Sequence, residues 1–182
     1  MKLMIASDIH GSAFYARGMA EAFQGEAADR LLLLGDILYH GPRNDLPREY
    51  DPKAVIGLLN AFPAPIYCVR GNCDSEVDQM VLRFPIMADY FLLPAADSMV
   101  FATHGHVYHQ EALPPMMPGD ILLHGHTHVP AWKSFGDHLR YFNPGSVSIP
   151  KEGSCHSYMI FENGVFVWKD LETGSSYHEE KA

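Results

Sequence analysis

The chain has 182 residues, 47% of them hydrophobic and 12% aromatic, enough to bury a sizeable core without disulfide staples. Acidic residues outnumber basic ones by 22 to 13, a formal charge of -9, and no Lys/Arg cluster runs longer than a pair, which argues against stable nucleic-acid binding or an anionic membrane surface as partner. Cys68, Cys73 and Cys155 are too few and too irregular for a disulfide framework, and no apolar run reaches signal-peptide or membrane-spanning length, so the expectation is a single domain over 1–182 in the cytoplasm, with no membrane partner.

Leu3 to Ser7 reads as a first buried strand, delivering Asp8 and His10 one residue apart on the same side of an extended segment. Ser12 is a helix N-cap, with Ala16, Met19, Ala20 and Phe23 on one apolar face and Gly25 as the stop. Leu31-Leu32-Leu33-Leu34 is a strand buried on both faces, and Gly35-Asp36 puts a carboxylate at its mouth. The irregular stretch Ile37 to Tyr50 is long enough to wall a reactive site. Asp51-Pro52 caps a second helix with Val55, Leu58, Leu59 and Phe62 inward. Ile66 to Val69 is the third strand, followed by Arg70-Gly71-Asn72-Cys73-Asp74 and a short helix from Ser75 through Leu82. This alternation predicts a parallel α/β sheet.

From Tyr90 onward the pattern changes to short strands: Tyr90 to Leu93, Met99 to Thr103, Ile121 to Leu123, Ala131 to Phe135, Arg140 to Phe142, Tyr158 to Glu162 and Val165 to Trp168. Gly136-Asp137 and Asn163-Gly164 are hairpin turn signals, so a second, largely antiparallel sheet is expected to pack on the first. Glu111 to Gly119 is a proline-stiffened loop around Met116-Met117, and the polar end from Thr173 to Ala182 is expected to fray. Exposed aromatics in the second sheet and the Met116-Met117 loop suggest a homo-oligomer.

Each apolar strand is thus followed by a small polar cluster, and His124-Gly125-His126-Thr127-His128 is the sharpest of them. Asp8, His10, Asp36, Asn72, His104, His126 and His128 offer nitrogen and oxygen donors, more than one ion can take with a position left for water. Two ions sharing one carboxylate are the natural solution, with Asp36 as the bridge. Isolated histidines carry a structural reading: His40, His109, His138, His156 and His178 fall there, with His106 and His124 between the two readings. Cys68 and Cys155 read as core thiols, and Arg70 as a partner for Asp74 or for a phosphate.

The series Asp8-x-His10, Gly35-Asp36, Gly71-Asn72-x-Asp74, His104-Gly105 and Gly125-His126-x-His128 resembles the calcineurin-like metallophosphoesterase superfamily, from about Met1 to about Ser146. The resemblance implies a four-layer α/β/β/α sandwich of two mixed β-sheets. It implies one metal held by Asp8, His10, Asp36 and His128, a second by Asp36, Asn72, His104 and His126, and a bridging water as nucleophile. Mn²⁺ is the favoured ion, with Fe, Zn²⁺, Co²⁺ and Ni²⁺ as alternatives. Asn72, Cys73 and Asp74 form the implied catalytic segment. Cys73 stands where many relatives carry a histidine, as in a subgroup of small bacterial phosphodiesterases, and Asn143-Pro144-Gly145-Ser146 also resembles that subgroup. The expected substrate is a small or nucleotide-like phosphodiester; the alternatives are a phosphomonoesterase and a binding scaffold on the same fold.

Overall fold

The computed structural model describes residues 1–136 and 138–182; Asp137 of the expected Gly136-Asp137 turn lies outside the described residues. The first half runs β1 (Leu3–Ala6), α1 (Ala13–Gly25), β2 (Arg30–Leu33), α2 (Pro52–Asn60), β3 (Ile66–Cys68) and α3 (Glu76–Val81). The first two helices start where their sequence caps predict, and the third starts one residue after the expected Ser75, which caps it. Ser12 Oγ accepts from Tyr15 N at 3.3 Å, Asp51 Oδ1 from Ala54 N at 3.1 Å, and Ser75 forms a capping box with Asp78.

Strands β4 (Phe91–Ala95), β5 (Ser98–Thr103), β6 (Ile121–His124), β7 (Ala131–Phe135) and β8 (Leu139–Asn143) follow, then β9 (Ser157–Glu162), β10 (Val165–Asp170) and β11 (Ser176–Lys181). They form two mixed sheets, ordered β11-β10-β9-β1-β2-β3 and β4-β5-β6-β8-β7. Three expectations are corrected here. The second sheet is not largely antiparallel, because β5, β6 and β8 run parallel at its centre. Strands β9 and β10 leave it altogether, β9 pairing antiparallel with β1. The C-terminal end does not fray: β11 pairs antiparallel with β10 through backbone hydrogen bonds that need no apolar side chains.

The leucine run explains the layering. Leu31 and Leu33 point into a core shared with Met19 and Phe23 of α1 and with Val55 and Leu59 of α2. Leu32 and Leu34 point the other way, into a core between the sheets with Val100, Leu123 and Phe142. One strand therefore feeds both cores, as burial on both faces requires. The outer face of the second sheet, Phe101, Leu122 and Tyr141, is also buried. Tyr108 sets its ring edge-on to Phe101, and buried Pro114 lies in the same 104–120 segment. That layer is proline-stiffened loop, since Pro114, Pro115 and Pro118 cannot sit in a helix interior. Among the described residues no helix is long and apolar enough to cross a membrane.

Candidate metal centre

Parallel strands β1, β2 and β3 of one sheet and β5 and β6 of the other end in the segments that carry the candidate ligands. The backbone must then double back for the side chains to converge. Asp8, His10, Asp36, His126 and His128 adopt φ of 58°, 49°, 55°, 65° and 63°. Left-handed conformations of this kind cost non-glycine residues about 1–3 kcal/mol each, and they persist where surrounding structure dictates them. Here His10 N donates to Asp36 O at 2.9 Å and Asp8 N to Gly35 O at 3.1 Å, locking the first two loops together. Gly71 permits a close approach of the two loops, because a Cβ there would sit 2.1 Å from Asp36 Oδ1.

Three imidazoles have their tautomers fixed by carbonyl oxygens. His10 Nδ1 donates to Tyr39 O at 2.8 Å, His104 Nδ1 to Leu34 O at 2.6 Å and His128 Nδ1 to Ile149 O at 2.6 Å. In the neutral ring each Nε2 is left as a lone pair facing the others. His10 Nε2 lies 3.3 Å from His128 Nε2, and the two stand 3.5 and 3.3 Å from Asp8 Oδ1. That buried oxygen has no hydrogen-bond partner. His104 Nε2 is 3.1 Å from Asn72 Oδ1, 3.2 Å from His126 Nδ1 and 3.4 Å from Asp36 Oδ2. Acceptors packed against acceptors satisfy one another only around cations. The donors fall into two groups, Asp8-His10-His128 and Asp36-His104-His126, each within 4.8 Å, and His10-Asp36-Cys73 forms a third that joins them. This set of nitrogen and oxygen donors fits divalent cations.

Electrostatics point the same way. Burial works to raise the Asp8 carboxyl, yet His10 and His128, with His104 nearby, hold it well below the usual carboxylate range. Burial also opposes ionisation of Asp36, and His104 outweighs it. For His104 burial works downward, but Asp36 and Asp8 push it up to about 9. The buried Asp8 and Asp36 carboxylates thus favour positive charge at this centre.

Asp74 does not reach the centre. Its oxygens accept from Gly71 N at 2.7 Å, Asp36 N at 2.8 Å and Ile37 N at 2.9 Å, so it clamps the turns that aim Asp36. Asn72 is exposed at the rim, and its Nδ2 donates to Cys73 Sγ at 3.3 Å. Cys73 N donates to Asp36 Oδ1 at 2.8 Å. Burial first, then the Asp36 charge, drives the Cys73 thiol far above its ordinary pKa. Asp36, Asn72, Cys73, His126 and His128 line an open cavity of about 410 Å³, with Asp8 and His10 buried beneath it.

His124 is buried between Gly125 O and Gln110 Oε1, at 3.0 and 3.2 Å from its ring nitrogens, and its ring stacks on Tyr141. Burial brings it down to about 4, a neutral packing residue. His106 is exposed, its ring 5.4 Å from His104. Arg70 meets Glu76 at 3.9 Å rather than Asp74, and Cys155 is half-buried rather than a core thiol. Sequence reasoning missed Ser148, whose Oγ donates to Asp8 O at 3.0 Å beside Ser146 Oγ at 2.9 Å. It also passed over Arg43 and Lys151, which line the cavity. The long loop Ile37 to Tyr50 was the available signal for Arg43; Lys151 had none.

Residues 1–164 match the calcineurin-like phosphoesterase superfamily domain. The chain is 48% identical over 165 residues to the phosphodiesterase YfcE of Escherichia coli K12, covering 91% of this chain and 89% of that one. It superposes on the solved structure of YfcE, a phosphoesterase from E. coli, with a TM-score of 0.93 at 45% identity, covering 100% and 99% of the two chains. An archaeal phosphodiesterase shares the fold at a TM-score of 0.59 and 21% identity, with both chains fully covered. The chain belongs to the calcineurin-like phosphoesterase superfamily.

Proposed function

We propose that the chain is a metal-dependent phosphodiesterase with two divalent cations, one held by Asp8, His10, Asp36 and His128 and the other by Asp36, Asn72, His104 and His126. The observation that carries this is the pair of donor groups meeting at one carboxylate, with Asp36 Oδ2 3.7 Å from His10 Nε2 and 3.4 Å from His104 Nε2. Bound there, the cations supply Lewis acidity, acidifying water and neutralising phosphoryl oxygens. The chain's own residues hold the geometry. The three carbonyl-anchored histidines keep Nε2 inward, Asp74 fixes Asp36, and Asn72 presents an amide at the rim where phosphoryl oxygens arrive. Phosphodiesters are favoured over monoesters by the name of the 48% identical relative, a phosphodiesterase, and Mn²⁺ by the family resemblance.

The test is hydrolysis of bis-p-nitrophenyl phosphate against p-nitrophenyl phosphate by metal-stripped protein re-supplied with Mn²⁺. Cleavage of the diester alone supports the proposal. Inertness towards both esters with metal bound removes the enzyme reading and favours a binding scaffold.

Cation and proton compete for His104 Nε2. A His104 pKa raised from 6.5 to about 9 stabilises the metal-free chain fully below pH 6.5, and that contribution is lost as pH rises through about 9. Cation binding faces less proton competition over the same interval. The Tm increase on adding Mn²⁺ is therefore expected to grow from about pH 6.5 to about 8.5. A flat or shrinking increase counts against His104 as a ligand.

Cys73 is a neutral thiol and a weak donor, so it gives a departing alkoxide little help. Turnover is expected to be modest and best on good leaving groups. Cys73→His is expected to raise kcat on alkyl esters by about 10²-fold, the low end of general acid catalysis, while changing the p-nitrophenyl diester less. An unchanged or lower rate on alkyl esters removes that role from position 73.

A further inference from the structure

Two residues, Tyr39 and His40, separate Leu38 from a tight turn, Gly41-Pro42-Arg43-Asn44, closed by Asn44 N donating to Gly41 O at 3.4 Å and Asn44 Nδ2 donating to His40 O at 2.8 Å. Pro42 presets the turn, and Arg43 is carried at its tip over the cavity. On the opposite side of the sequence, Lys151 N donates to the carbonyl of His128 at 3.1 Å, while Ser154 Oγ donates to Lys151 O at 2.7 Å. Its backbone is thus tied to a candidate ligand, and its side chain lines the same cavity.

Neither cation forms an ion pair within 4.0 Å among the described residues, whereas Arg17 pairs with Glu49, Arg70 with Glu76 and Lys169 with Glu26. Apart from Asp36, which faces the candidate metals, no acidic residue lines the cavity among the described residues. In a chain of charge -9, an opening with two cations outside any ion pair among the described residues and one carboxylate, turned to the candidate metals, is selective for anions. A diester phosphate carries a single negative charge, which the metal centre is already built to meet. The volume of about 410 Å³ falls within the roughly 300–1,000 Å³ of sites that take ligands larger than a phosphate.

We propose that Arg43 and Lys151 form an anion subsite that selects phosphodiesters bearing a second anionic group, a terminal phosphate, away from the bond that is cleaved. This rests on the phosphodiesterase reading and names its substrate class. The test compares thymidine 5′-(p-nitrophenyl phosphate) with the same ester bearing a 3′-phosphate, using Mn²⁺-loaded protein. The two share the leaving group and differ only in the added charge.

Charge-assisted contacts of this kind are expected to favour the 3′-phosphorylated ester by about tenfold or more in kcat/KM, chiefly through KM. Arg43→Ala and Lys151→Ala should each bring that ratio towards one, Arg43→Lys and Lys151→Arg should keep most of it, and salt at about 0.5 M should erode it. A ratio near one in the unmodified protein overturns the subsite. So does an equal loss on both esters in the alanine variants, which would put the cations on the cleaved phosphate itself. If neither ester nor bis-p-nitrophenyl phosphate is cleaved, the phosphodiesterase reading fails and the subsite falls with it, a result distinct from cleavage without charge preference.

Discussion

Asp36→Asn is expected to lower kcat/KM for bis-p-nitrophenyl phosphate by about a thousandfold or more while the protein stays folded. The carboxylate lies between the two donor groups, and among the described residues no other carboxylate comes within 4.0 Å of both His10 Nε2 and His104 Nε2. Replacing it with an amide keeps the shape and leaves an oxygen able to accept from Cys73 N, which Asp36 Oδ1 does at 2.8 Å. What is lost is the negative charge that two cations would share. Electrostatic stabilisation by such cations is worth several kcal/mol in the transition state, and about 1.4 kcal/mol is a factor of ten in rate. The measurement is steady-state kinetics with metal content and far-UV circular dichroism recorded on the same sample. A folded variant within tenfold of the parent would deny Asp36 its bridging place.

Asp74→Ala is expected to cost roughly 3 kcal/mol or more of stability, together with most of the activity. Asp74 is 3% exposed and is the acceptor for three backbone N–H groups, those of Gly71, Asp36 and Ile37. Removing it strands all three donors in the interior, at about 1–3 kcal/mol for each buried group left unpaired. It also releases the turn that holds Asp36 at its positive φ of 55°. Urea unfolding with and without Mn²⁺ separates the two effects. A variant that unfolds at the parent's midpoint but has lost activity would make Asp74 a participant in the chemistry rather than a clamp.

The strand-end clusters were legible because their information is local. Gly35-Asp36 and Gly71-Asn72 each place a glycine where two loops meet, and Leu31 to Leu34 announce burial on both faces without reference to any other segment. The caps Ser12 and Asp51 were legible for the same reason, since each bonds within three residues of itself. Strand pairing is not local. The short runs Tyr158 to Glu162 and Val165 to Trp168 are a hairpin by their own turn, but nothing within them says that β9 pairs with β1, more than 150 residues away. Likewise β5, β6 and β8 are apolar enough for either orientation, and their parallel alignment follows from the long connections that return the chain.

The terminal strand was misread because β11, Ser-Tyr-His-Glu-Glu-Lys, looks solvated, and it is: as the edge of its sheet it needs only backbone pairing on one side, and its charges suit an edge. Within the centre, the candidate donors and their order along the chain could be listed from the sequence, and so could an orienting rather than ligating place for Asp74, whereas the groups that Asp74 holds could not. The three amide contacts of Asp74 reach across to the turn after β2 as well as its own, and such cross-loop bonds carry no local signature. Lys151 is 23 residues beyond His128 and joins the cavity through one backbone hydrogen bond, a contact with no sequence signature.

The most direct measurement is a crystal structure of the Mn²⁺-loaded protein with anomalous scattering recorded at the manganese edge. The proposed centre predicts two peaks, one within reach of Asp8, His10, Asp36 and His128 and the other within reach of Asp36, Asn72, His104 and His126, with Asp36 touching both. One peak alone, or two that do not share Asp36, would contradict it.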